Sequence, residues 1–313
     1  MRISKYNRGF PLVNTYSIVA RDPETGDMGV GVQSHYFSVG AIVDWGRSGV
    51  GVVATQSFVN KSFGLRGLDL MEQGRSPQEA LDILLSDDEG KDVRQVALLD
   101  YKGRVAVHTG SKCIKDAGHI KGENFSVQAN MMLTDKVWSA MAKAFERNKN
   151  LPLPERIVKT LEAAETEGGD IRGKQSAALL IVKGKRVENE WNDPFMDIRV
   201  EDHTEPLHEL SRLLKLWRAY ENMDKGDIAM EKGDMKEALR VYNLASEMVP
   251  DNLEMKYWTA VSLANNNKLE TALPLFKEIF KKDKNWVTLT ERLPEVEVLN
   301  ISVDDLNKIL KLI

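Results

Sequence analysis

"NTYSIVARDPETGDMGVGVQSHYFSVG", Asn14 to Gly40, decides how this chain is read. In Thr15–Arg21 the apolar residues Tyr16, Ile18 and Ala20 stand at every second position, with Val19 interrupting strict alternation. Period two is the mark of a strand. Asp22–Asp27 carries proline early and glycine late, which predicts a turn. Met28–Ser34 then returns as the hairpin partner. The first strand opens on Thr15. By residue type it is an ordinary β-branched strand residue; at a chain terminus it would be a hydroxyl nucleophile.

Working outward, Ser38–Trp45 and Gly49–Ser57 are apolar and glycine-rich, and predict two further strands buried on both faces. A helix is expected over Phe63–Gln73, ending at Gly74. Ser76 as N-cap and Pro77 at the first position start a second helix through Leu85. RQVALLD and GRVAVHTG predict a hairpin around Lys102–Gly103. Asn124–Leu133 reads as a strand, followed by a helix capped by Thr134 or Asp135. Pro154 opens another helix, ending near Gly168–Gly169. Strands SAALLIV and FMDIRVE close the region. The order is strands, two helices, strands, two helices, strands. Consecutive hairpins with segregated helix pairs predict a layered α+β fold rather than alternating βαβ units.

After His203 the chain turns helical and highly charged. GDMKEALRVYNLASEMVPD from Gly233 and NKLETALPLFKEIFKKDKN from Asn267 repeat at an offset of 34 residues (267 − 233). Ala238 aligns with Ala272, and Tyr242 with Phe276, so a small residue permits close helix crossing beside an aromatic filler. The segment Leu216–Trp286 resembles the tetratricopeptide (TPR) family, although the second copy has Lys284 where the first has Pro250. Two copies alone rarely stand without a docking surface. The expected division is 1–205 and an all-α, TPR-like tail over 206–313.

The chain has 313 residues, which favours two domains; 42% are hydrophobic and 29% charged, an ordinary globular balance. A net charge of −4 leaves no basic footprint for nucleic acid or an anionic membrane. Cys113 is the one cysteine, so no intrachain disulfide is expected. MRISKYNRGFPLVN lacks the apolar core of a secretory signal, and no run approaches the roughly 18–20 apolar residues of a membrane span. These features predict a cytoplasmic protein.

Seven segments carry a family resemblance: TYSIVARDPETGDMGVGVQSHYFSVGAIV, GVGVVATQS, GRVAVHTG, AGHIKGENFSVQANMM, AMAKAFE, GGDIRGKQSAALLIV and IRVEDH. In this order, over Thr15 to His203, they resemble a bacterial and archaeal family of unknown function assigned to the N-terminal nucleophile (Ntn) hydrolase fold. The resemblance implies an αββα layered sandwich. It also implies a chemistry in which the first residue of the mature chain attacks, with its own α-amine as general base. Such an amine titrates at roughly 7.7–8.0 and serves near neutral pH without a His–Asp relay.

On this resemblance Thr15 is the candidate nucleophile and Ser17, two residues along the same face, the weaker alternative. Many relatives begin directly at Met-Thr; here fourteen residues precede Thr15, and the mechanism requires a cut between Asn14 and Thr15. Proteasome-like members also carry an activating lysine on the third strand. The nearest basic residue here is Arg47, expected in a turn. Asn130 is the candidate oxyanion donor, or else a turn residue; Ala129 beside it replaces a family glycine. Gln33, Ser34 and His35 end the second strand, and Asp170, Arg172, Gln175 and Ser176 lie in a polar loop; these are the candidate substrate contacts. A hydrogen-bonded structural histidine and an Asp170–Arg172 pair closing the loop are the alternatives.

Other signals are discounted. GVGVVA spells a dinucleotide fingerprint but runs into a strand, not a helix. His108, Cys113 and His119 fit no common zinc spacing, and no cofactor or metal is expected. Cys113 lacks a sequence-level activator. Two functions stay open. One is an amidohydrolase acting on a small-molecule or peptide-like amide. The other is a non-catalytic ligand-binding or scaffold protein acting through its helical tail. In a further variant the repeats themselves hold a peptide partner. The Ntn resemblance also implies association into homo-oligomers.

Overall fold

The structure, a computed structural model, describes residues 11–312. The stretch from Met1 to Phe10, part of the segment read above for a signal, lies outside the described residues. The chain divides into two compact units, parting between Leu214 and Lys215. It is a mixed α+β protein with two sheets and, among the described residues, ten α-helices.

The first unit holds both sheets. One contains β1 (Leu12–Val13), β4 (Asp44–Arg47), β5 (Gly51–Phe58), β6 (Arg94–Asp100) and β7 (Val105–Thr109). Its order is β1-β5-β6-β7, with β4 also paired to β5. The other contains β2 (Thr15–Arg21), β3 (Met28–Ser34), β8 (Gly118–Gly122), β9 (Phe125–Ala129), β10 (Ser176–Val182) and β11 (Met196–Val200), in the order β11-β10-β3-β2-β9-β8. Every pairing is antiparallel. The chain therefore crosses from one sheet to the other at Asn14, between β1 and β2.

The sheets lie face to face. Val19, Val30, Val32, Ala178 and Leu180 of one sheet pack against Val52, Ala54, Ala97 and Leu99 of the other in one apolar cluster. Helices α1 (Ser62–Glu72) and α2 (Pro77–Ser86) cover the outer face of the first sheet through Phe63, Leu68, Leu81 and Leu84. Helices α3 (Val137–Arg147) and α4 (Leu153–Thr166) cover the second. Gly29 and Gly31 let α4 approach closely, since a Cβ at either would collide with Ile157. The order of layers is helices, sheet, sheet, helices.

Local chemistry accounts for several boundaries. Ser76 accepts from the Glu79 amide while Glu79 answers at the Ser76 amide, a capping box with Pro77 following. Three expectations are corrected. Ser38–Ile42 is not strand: Ser38 is left-handed at φ 57 and Val39–Ala41 form one 3-10 turn, so β4 starts only at Asp44. Neither Thr134 nor Asp135 caps α3. Lys136 holds that position, while the Thr134 hydroxyl donates to Glu167 O and ties the start of α3 to the end of α4. The strand expected over Asn124–Leu133 stops at Ala129, because Met131 turns left-handed at φ 59. The short strand β8 is an addition; GHIKG has too few apolar residues to advertise it.

Helix α5 (Pro206–Glu231) spans the division between the units. The second unit continues with α6 (Met235–Met248), α7 (Leu253–Asn265), α8 (Leu269–Lys282), α9 (Asn285–Arg292) and α10 (Val303–Leu310). The repeated positions fall on α6 and α8: Ala238, Tyr242, Ala272 and Phe276 are all buried. Asp234 and Asn252 cap α6 and α7 through their side chains. Among the described residues no helix is long and apolar enough to cross a membrane.

Candidate functional site

Thr15 begins β2 and is fully buried. Its strand alternates between two environments. Ser17 donates to Gln56 of the facing sheet at 2.6 Å, so the odd-numbered side chains of β2 point between the sheets. Thr15 shares that face. Its partners in register are Ser34 on β3 and, through Ser34, Ser176 on β10. On the other side the Asn130 amide donates to Thr15 O at 3.1 Å. A polar row, Ser176–Ser34–Thr15–Asn130, thus crosses one end of the sheet.

The peptide bond before Thr15 is held by side chains from distant elements. Ser34 Oγ donates to Asn14 O at 2.6 Å. Arg172 Nη2 donates to the same oxygen at 2.9 Å. Arg172 is aimed by Asp170, whose carboxylate accepts from Arg172 Nε at 3.0 Å and from Nη2 at 2.7 Å. Asp170 also accepts the amides of His35 and Arg172. This buried carboxylate is therefore saturated, and the guanidinium fork has one fixed direction. The loop carrying the pair bends at Gly168, Gly169 and Gly173, all at positive φ, and bridges to Met132 through Asp170. Thr15 Oγ1 lies beside this arrangement, buried and without a hydrogen-bond partner among the described residues.

Below Thr15 runs a network of three glutamines. Gln56 Nε2 donates to Thr15 O at 3.2 Å and to Gln95 Oε1 at 2.6 Å. Gln128 Nε2 donates to Ser17 Oγ at 2.7 Å. Asn130 Nδ2 donates to Gln95 Oε1 at 2.8 Å. Gln95 Nε2 reaches Thr109 Oγ1 at 2.8 Å, and Thr109 meets His119 Nδ1 at 2.8 Å. Thr109 and His119 line a surface cleft of ≈ 540 Å³ with Cys113, Lys115, Asp116 and Trp138. Burial pushes the Cys113 thiol up, away from the reactive thiolate. Burial pulls His119 below the usual imidazole value, aided by His108 and Lys121.

The candidate residues separate accordingly. Thr15, Ser34, Asn130, Asp170 and Arg172 come together. His35 is exposed and contributes its backbone amide to Asp170. Gln33 faces α4 rather than the facing sheet, as its neighbours Gly29 and Gly31 do; its amide is buried without a partner among the described residues. Gln175 bonds Asp202 at 3.0 Å. Ser176 pins the turn after β3, donating to Tyr36 O and accepting from the Val39 amide at 3.1 Å. Ser17 is spent in the glutamine network. Arg47 is the last residue of β4, not a turn residue, and pairs with Asp69 and Glu72 on α1. Asn130 donates to Thr15's own carbonyl rather than to that of Asn14, and Ala129 is not at positive φ, so its Cβ strains nothing. Tyr16, on the helix side, donates to Glu165; burial, then the Glu165 charge, raises the phenol well above its usual value, and burial raises Glu165. Among the described residues no group of three or more His, Cys, Asp or Glu side chains converges as a metal site would. Sequence reading missed Gln56, Gln95 and Gln128. Their signal was present: each is a glutamine inside an otherwise buried strand run.

The profile of a family of unknown function, DUF1028, matches residues 15–210. The chain belongs to this family. The DUF1028 match starts at Thr15, contains every candidate residue above, and leaves Asn14 immediately outside. A crystal structure from Silicibacter pomeroyi, of a protein assigned to DUF1028, is similar to this chain. The identity is 29% over 64% of this chain and 85% of that one, with a TM-score of 0.58. No curated protein matches the chain.

Proposed function

We propose that this DUF1028 protein is the precursor of an Ntn-type amidohydrolase whose nucleophile is Thr15, freed by scission of the Asn14–Thr15 bond. One observation carries the reading: the carbonyl of that bond receives two donors, Ser34 Oγ and Arg172 Nη2, beside a buried hydroxyl that has no hydrogen-bond partner among the described residues. Negative charge develops on a carbonyl oxygen when its carbon is attacked, and donors fixed in advance stabilise it. Thr15 Oγ1 adds to the Asn14 carbon, the carbon–nitrogen bond breaks, and the hydroxyl proton passes to the nitrogen. Water then hydrolyses the ester, leaving an Asn14 carboxylate and a free Thr15 amine and hydroxyl. In turnover the amine takes the hydroxyl proton and returns it to the leaving amine. Arg172 supplies the cation that a lysine supplies in proteasome-like members. The layer order and the start of the family match at Thr15 support the same reading.

The second unit, in this proposal, is a TPR-like tail that recruits a protein partner through helices repeating at the α6–α8 spacing, and the whole associates into homo-oligomers. A second reading, a non-catalytic ligand-binding protein, is favoured by one fact. Thr15 is 0% exposed and follows a strand paired to β5, so the intact chain offers the hydroxyl no route to a substrate.

Intact-mass measurement, followed by labelling with a hydroxyl-reactive amide mimic, separates the two. A mature chain starting at Thr15 and labelled there is expected. A chain that keeps Asn14 in every preparation and takes no label overturns the amidohydrolase.

A further inference from the structure

The segment before Thr15 is seated as a ligand would be. Val59 N donates to Pro11 O at 2.9 Å. Leu12 and Val13 then pair with Phe58 and Ser57 of β5 as a short antiparallel strand. This is β-strand addition, a standard way to hold an extended peptide by its backbone. Leu12 is 36% exposed, whereas Val13 and Asn14 are both 0% exposed. Val13 packs in the apolar cluster between the sheets. The Asn14 carboxamide is enclosed with it: Nδ2 donates to Met131 Sδ at 3.2 Å, and Oδ1 is buried without a partner among the described residues.

The chemistry links this seat to turnover. The ester formed in the scission joins the Asn14 acyl carbon to Thr15 Oγ1. An acyl-enzyme made from a peptide amide ending in asparagine is the same species: the same acyl group on the same oxygen. Groups that hold the Asn14 acyl in the first event hold the substrate acyl in the second.

Resting on the Thr15 reading, we infer that the mature site takes extended peptides and cleaves the amide after an asparagine. The edge of β5 at Ser57–Val59 binds the backbone, a small branched apolar residue precedes the asparagine, and the position before that is open to solvent. The bond broken is the asparagine carbonyl–nitrogen bond. Water supplies the oxygen of the new carboxylate, and the leaving amine departs with the proton from the Thr15 amine. Departure of residues 11–14 vacates the strand position that the peptide fills.

The test uses the full-length wild-type preparation after intact mass has established its N-terminus. Aminocoumarin amides of acetyl-Leu-Val-Asn, acetyl-Leu-Val-Leu and acetyl-Leu-Val-Asp are compared by kcat/KM. The asparagine amide is expected to be cleaved about tenfold faster than either other, the scale at which a pocket shaped around one side chain rejects another. Met131→Leu, which removes the sulfur acceptor of the carboxamide, is expected to narrow that ratio. Equal rates, preference for leucine or aspartate, or no cleavage while the hydroxyl-reactive mimic still labels Thr15 would each overturn the asparagine seat and leave the amidohydrolase standing. Retention of Asn14 with no labelling would remove both.

Discussion

Arg172 and Asn14 stand 158 residues apart in the chain, yet the guanidinium of one donates to the carbonyl oxygen of the other at 2.9 Å. The contact depends on Asp170, which accepts from Nε and Nη2 along one edge of the same guanidinium. Lysine carries the charge but not the fork. Arg172→Lys is therefore expected to slow scission at Asn14–Thr15 by about 10²–10³-fold, the scale of a lost oxyanion donor. Time-resolved intact mass on freshly synthesised protein measures this; an unchanged rate would remove Arg172 from the reaction.

Thr15→Val separates chemistry from stability. The shape is kept, and the hydroxyl removed has no hydrogen bond to lose among the described residues. Scission is expected to stop altogether, while the unfolding free energy changes by no more than about 1 kcal/mol, since burying an unpaired hydroxyl stabilises nothing. Intact mass and a urea titration on the same sample read both quantities.

Gln56 joins the two sheets. Gln56→Ala would leave the Ser17 hydroxyl proton without its acceptor and take away one donor each from Gln95 Oε1 and Thr15 O in a closed interior. Each unmade buried bond costs about 1–3 kcal/mol, so a loss of about 2–4 kcal/mol is expected, as a lower denaturant midpoint at unchanged slope. A change within the error of the midpoint would show that the network is replaceable.

Asp44 confers a pH dependence unrelated to the site. Both carboxylate oxygens are buried without partners among the described residues, and its pKa is pushed up to about 8. Burial is the main cause; Arg199 opposes it, while Asp197 and Glu201 reinforce it. An unfolded aspartate titrates near ~3.9, so between about pH 4 and 8 the folded chain keeps a proton that the unfolded chain releases. Stability then falls with rising pH across that window, by up to about 1.4 kcal/mol per unit from this group. Asp44→Asn is expected to gain on the wild type steadily from about pH 5 to 8. Parallel melting curves for the two proteins over that range would disprove it.

In the helical unit Gly226 admits the ring of Tyr242: a Cβ there would stand 2.1 Å from the ring edge. The Tyr242 hydroxyl also donates to Asp227 at 2.6 Å, which fixes the ring in place. Gly226→Ala is expected to cost about 1–3 kcal/mol by overpacking, against a gain of up to ~1 kcal/mol in helix propensity. Calorimetry on the full chain would register it as a lower midpoint for the helical unit's transition.

How much was legible in the sequence follows from the range of each signal. The strand alternation from Thr15, the Asp22–Asp27 turn, the Ser76 cap and the Ala–aromatic repeat each depend on residues within a few positions or one repeat length. Where local rules compete, reading failed. Ser38–Ile42 has a strand's composition, but the turn is set by Ser176 and Glu201, which bond its backbone from far along the chain. Thr134 has a cap's chemistry, but its hydroxyl is taken by Glu167.

The sequence by itself determined most of the elements and their order and named candidate residues, because periodicity, turn preference and capping act between near neighbours. Only the tertiary structure decided which of those residues meet. Register put Ser34 beside Thr15 and turned Gln33, one residue away, to the opposite face. Sheet stacking set Gln56 beneath Thr15, and a loop from the far end of the first unit brought Arg172 to the carbonyl of Asn14. Those contacts come from pairing and packing across the whole chain, which no window of neighbouring residues encodes.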